Sequence, residues 1–164
     1  MDLCNHASED KLLLLLHIGL HKTGTSWFQE VVIPDAGNRL APVGEPLEPR
    51  RDIVRPHPYH FDAVALRAKY DPLMEQVEAR GCVPVISDER LSGNPLSGGF
   101  DTRLLVDRLA DLFPQARVLL VLREQRAMLK SIYDQYVRTG GGCAIERFLD
   151  PGSRGVTPWF APNI

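Results

Sequence analysis

A chain of 164 residues, 44% hydrophobic and 24% charged, has the length and composition of one ordinary globular domain with a substantial core. Its formal net charge of −2 lacks the basic surplus that nonspecific nucleic-acid binding requires, so no nucleic-acid partner is expected. Cys4, Cys82 and Cys143 stand at unrelated spacings with no CxxC pair; they read as reduced thiols of a cytoplasmic protein, not as a disulfide framework or a metal site.

Residues 1–11 are polar and are expected to be a flexible N-terminus. The leucine-rich run 12–20 follows Asp2, Glu9 and Asp10 against a single lysine, which is the wrong flank for a secretory signal. It is also well short of the roughly 20 residues that span a bilayer, so no membrane span is expected. A buried parallel strand explains it. The polar turn His21-Lys22-Thr23-Gly24-Thr25-Ser26-Trp27 comes next, then a helix over about 25–33 that Pro34 stops.

Residues 35–58, rich in proline, glycine and arginine, read as a long surface loop. His57, Tyr59 and His60 at its end read as surface and helix-entry residues. The segment 61–80 has helical apolar spacing, with Pro72 dividing or kinking it. CVPVIS, 82–87, is a second buried strand, with Asp88, Glu89 and Arg90 after it. Asp101 begins a further helix that Pro114 ends. RVLLVL, 117–122, is a third buried strand with Arg123 at its end, followed by a helix over 125–138 that three glycines terminate. A further helical turn is expected over 145–149, and 150–164 is an irregular tail.

Strands alternating with helices predict right-handed βαβ units, hence one α/β domain over 1–164 with a parallel sheet covered on both faces. Ligands of such sheets bind at the carboxyl ends of the strands. All three predicted strands put polar groups there: His21 and Lys22, then Asp88 and Glu89, then Arg123. The first of these turns is built for an anion. Its backbone N–H groups lie at the start of a helix, Lys22 adds a full positive charge, and Thr23, Thr25 and Ser26 add hydroxyls. It is not a Walker loop, because Thr25 stands where the lysine after the second glycine belongs. That displacement argues against an ATP-using kinase.

An apolar strand followed by Lys-Thr-Gly-Thr-Ser-Trp resembles the 5′-phosphosulfate loop of sulfotransferases that use 3′-phosphoadenosine 5′-phosphosulfate (PAPS). RVLLVLREQRAMLKSIYDQYVRTGG resembles the 3′-phosphate segment of the same family: a strand, Arg123 at its end, and Ser131 eight residues later on the next helix. The resemblance covers about 12–149 and is specific at these two segments. It implies a P-loop-containing nucleotide hydrolase-like, three-layer fold. It further implies transfer of a sulfuryl group from PAPS to a hydroxyl or amine of a small-molecule or carbohydrate acceptor, with adenosine 3′,5′-bisphosphate (PAP) as product and no metal.

Carried onto the matching positions, the resemblance makes Lys22 the contact to the sulfate and bridging oxygen. Gly24, Thr25, Ser26 and Trp27, with Thr23, hold the 5′-phosphate, and Arg123 and Ser131 hold the 3′-phosphate. Trp27 matches a position that stacks on adenine in some members, its alternative being a core residue. Glu89 is the candidate base, with Asp88 and His21 as runners-up. Family members are longer, and nothing after Gly142 matches their basic closing loop, so the chain is expected to be a truncated form, to take the missing part from elsewhere, or to be a degenerate homologue. A non-catalytic PAP-binding domain or one half of an assembly, including a homo-oligomer, is the alternative.

Overall fold

A computed structural model describes residues 13–35, 37, 39–94 and 100–150. Four parallel strands form one sheet: β1 Leu15–Gly19, β2 Leu40–Pro42, β3 Val83–Ser87 and β4 Arg117–Val121, in the order β2-β3-β1-β4. In register, Leu15 of β1 lies opposite Val85 on one side and Arg117 on the other. Because the strands are parallel, their carboxyl ends share one edge of the sheet. The expected α/β class with helices flanking a parallel sheet is what the chain forms.

Three helices of ordinary length accompany the sheet: α3 Ala63–Glu78 between β2 and β3, α4 Thr102–Leu112 between β3 and β4, and α5 Gln125–Arg138 after β4. The expected first helix is more complex. It opens as α1 at Thr25–Trp27, widens to a π-helical stretch at Phe28–Val32 and returns to α-geometry as α2 at Ile33–Asp35. Pro34 therefore does not stop it. A proline lacks an N–H and crowds the carbonyl one turn back, and the widening falls on that preceding turn. Pro72, likewise, sits inside an unbroken α3, whose start Asp62 caps by accepting from the Val64 and Ala65 N–H groups.

The main core joins α3 and α4 to the sheet through Leu16, Ile86, Tyr70, Val77, Leu109 and Phe113. Tyr70 meets Phe113 edge-on with centroids 5.7 Å apart. A second cluster gathers Met128 and Ile132 of α5 with Phe148 of α6, Ile145–Phe148, and Leu20 packs on it. Leu20 immediately precedes the polar turn, so this cluster seats α5 beside that turn. No helix among the described residues is long and apolar enough to cross a membrane.

Two expectations change. The stretch 35–58 is expected to be structureless, yet it supplies β2 and a π-helical stretch at Arg50–Val54. β4, expected to be buried, is an edge strand with Val118 60% and Leu120 50% exposed. An apolar run specifies a strand, and its place in the order decides its burial. His57, Tyr59 and His60 are exposed, as expected. The expectations for 1–11 and for nearly all of 150–164 lie outside the described residues.

Arg108 explains how 35–58 becomes ordered. Buried in α4, it donates from Nη1 to the Ile53 carbonyl and from Nη2 to the Pro56 carbonyl at 2.7 Å, and it lies 4.4 Å over the Phe61 ring. Lys69 of α3 adds ion pairs to Glu48 and Asp52. Arg108→Leu leaves two carbonyls without donors and is expected to lower stability by about 2–4 kcal/mol, read by chemical denaturation. An unchanged midpoint would show that the loop is held by other contacts.

Candidate functional site

The site is the carboxyl edge of the sheet, and glycine geometry shapes its first wall. The chain leaves β1 through Leu20 and His21, then turns at Lys22 with φ of 66° and at Gly24 with φ of 92°. The left-handed region is strained for lysine and open to glycine. A Cβ on Gly24 would meet nothing within 4 Å, so this glycine serves the backbone angle and not close packing. A Cβ on Gly19, by contrast, would fall 2.1 Å from Thr25 Oγ1, so Thr25 packs directly on the end of β1.

The three hydroxyls of the turn differ. Thr23 donates back to the Leu20 carbonyl and closes the loop on itself, so its hydroxyl proton is already committed. Thr25 is buried with no hydrogen-bond partner for Oγ1, an orphan of the kind that a bound ligand satisfies. Ser26 is exposed beside it. Trp27 is 63% exposed, so the core role is excluded and its ring is free to stack.

Arg123 follows β4 and donates from Nη1 to the Lys22 carbonyl at 3.0 Å. Two segments 101 residues apart are thus in direct contact. A guanidinium carries five N–H donors, so most of them stay available to an anion. Glu124 next to it caps α5, accepting from the Arg126 and Ala127 N–H groups, which hold its carboxyl below the usual value. Ser131 is half-buried on α5, one position before Ile132 and three after Met128, on the side that meets Leu20.

Beyond β3, the two acidic candidates part company. Asp88 is 3% exposed and binds the Arg50 side chain through Nε and Nη2, the latter at 2.8 Å, while also accepting the Arg90 N–H at 2.7 Å. Its oxygens are occupied, and it positions Arg50. Glu89 keeps a side chain 36% exposed, with Oε1 3.6 Å from Nδ1 of His21. His21 is buried, and its Nε2 lies 3.2 Å from the Gly93 carbonyl. A carbonyl only accepts, so Nε2 carries the hydrogen and the ring turns Nδ1 toward Glu89. Burial pushes the His21 pKa down, and the Glu89 charge opposes that. A proton arriving at Glu89 therefore has a second acceptor at hand.

His17 underpins this corner. Its Nδ1 is 2.7 Å from Ser87 Oγ, its ring lies 4.1 Å from that of Phe28, and Gln29 donates to the Ser87 carbonyl at 2.7 Å. Burial lowers the His17 pKa below 6.5. In this direction the unfolded chain binds the extra proton first. Stability is therefore full above about 6.5 and declines as pH falls from there toward the folded value. His17→Gln is expected to flatten the melting temperature between about pH 6.5 and 5, and an unchanged slope would assign the acid sensitivity elsewhere.

A cavity of about 490 Å³ opens between these walls, bounded by Thr25 and Ser26, by Ser87 to Glu89, and by Pro42 to Leu47 with Pro49 and Arg50. The 35–58 stretch thus forms one side of the site. Sequence reasoning missed Arg50, the Asp88 bond and the His21–Glu89 approach, because each joins residues that only β3 and the ordered loop bring together. No family model, curated protein or solved structure matches the chain.

Proposed function

We propose that the chain binds a 3′-phosphorylated adenine nucleotide and transfers a sulfuryl group from PAPS to an acceptor hydroxyl or amine. The observation that carries the reading is the Arg123–Lys22 contact, which unites the segments resembling the 5′- and 3′-phosphate sites. The orphan Thr25 hydroxyl, the left-handed turn through Gly24 and the exposed Trp27 ring fit such a ligand. When bound, PAPS supplies the activated sulfuryl group.

The rest is positioning and charge. Backbone N–H groups from Gly24 to Trp27, with Thr25 and Ser26 hydroxyls, would hold the 5′-phosphate. Lys22 neutralises charge growing on the departing phosphate oxygen. Arg123 and Ser131 would hold the 3′-phosphate. Glu89 would take the acceptor proton, with His21 Nδ1 3.6 Å from its Oε1. Thr23 contributes by closing the turn.

Incubation with PAPS carrying labelled sulfur and a panel of hydroxyl and amine acceptors tests the proposal: label is expected in product only when acceptor is present. PAP binding without transfer would leave a nucleotide-binding domain in place of an enzyme. Arg123→Gln is expected to weaken PAP binding by about ten-fold or more, while adenosine 5′-phosphosulfate, which lacks the 3′-phosphate, binds almost equally to both forms. Equal losses for the two nucleotides would remove Arg123 from the 3′-phosphate.

A further inference from the structure

Resting on that reading, the lining of the 490 Å³ cavity defines the charge of the acceptor. Its walls are apolar around Ile33, Pro42, Val43, Leu47 and Val85. Its charged groups are Glu30, Glu45, Asp88, Glu89 and Arg50. Arg50, the one cation among these lining residues, is already held by Asp88. Glu48, just outside, is satisfied by Lys69 and Arg51. Glu30 and Glu45 face the cavity with no ion pair to any described residue. An anionic acceptor would therefore meet three carboxylates and no available cation.

We propose that the acceptor is a small hydroxyl compound with an apolar body and a protonated amine. Glu30 and Glu45 attract the ammonium, the apolar walls take the body, and Glu89 receives the hydroxyl proton. The attraction is moderate, since Glu30 and Glu45 are exposed and salt screens such charges over about 10 Å. Sulfated and carboxylated saccharides are disfavoured by the same field.

The probes are 4-(2-aminoethyl)phenol, 4-(2-hydroxyethyl)phenol and 4-hydroxyphenylacetate, three phenols of one skeleton with charges of opposite sign or none. Binding is read by ligand-observed NMR on the full chain, with and without PAP, at low and high salt. The amine is expected to bind at least about ten-fold more tightly than the carboxylate at low salt, with the gap closing as salt rises. A Glu30→Gln, Glu45→Gln double variant is expected to bring the two within about two-fold while PAP affinity holds. A carboxylate that binds as well as the amine, a preference that survives in the double variant, or failure of all three probes to bind overturns the inference. Failure of PAP itself to bind overturns the reading of the site, and the nucleotide-free titrations still decide the charge of the cavity.

Discussion

Glu89→Gln is expected to reduce kcat by about 10²–10⁴-fold while the affinity for PAP stays within about two-fold of the parent protein. The amide keeps the shape of the carboxylate and cannot take a proton. Glu89 follows the end of β3 and lines the cavity. The parent's pH profile carries a further signature. Because His21 faces the same oxygen, the acid limb belongs to the pair and not to one residue. His21→Asn removes the second proton acceptor and is expected to move that limb without altering PAP affinity. A Glu89→Gln enzyme with full activity would remove the carboxylate from the chemistry.

Lys22→Met is expected to lower kcat by about 10²–10³-fold, the loss typical of removing one group that stabilises developing charge. Methionine keeps the length of lysine's aliphatic stem and the left-handed backbone demand, so the φ of 66° is no easier or harder to adopt. What disappears is the positive charge that the proposed mechanism sets beside the departing phosphate. PAPS affinity is expected to fall by much less than kcat, since the backbone N–H groups of the turn stay in place. Equal losses in binding and turnover would make Lys22 a ground-state anchor, and transfer rates plotted against PAPS concentration separate the two cases.

The polar turn after β1 was legible because its signal is local. A short apolar run, a lysine, a left-handed glycine and a helix start lie within fifteen residues, and each is dictated by neighbours in the chain. The strand ends at Ser87 and Val121 were legible for the same reason, and the parallel sheet brings their following residues to one edge. β2 was not legible. It is three residues long and ends in Pro42, and only pairing with β3 makes it a strand.

The cavity wall was hidden for a related reason. The composition of 35–58 speaks for a loop, and its order depends on Arg108 in α4 and Lys69 in α3, residues with no pattern that announces such a role. Asp88 and Glu89 are adjacent in sequence, Glu89 being the candidate base and Asp88 a runner-up. Arg50 and Arg90 occupy the first, His21 leaves the second accessible, and no spacing rule predicts which.

The central claim is that one sheet edge recognises both phosphates of a 3′-phosphorylated adenosine. Calorimetric titration of the unmodified chain with PAP and, separately, with ATP and magnesium tests it most directly. Saturable one-to-one binding of PAP in the micromolar range, about −8 kcal/mol, with ATP at least about ten-fold weaker, is the predicted result. ATP binding as tightly as PAP, or PAP giving no heat while ATP does, would contradict it.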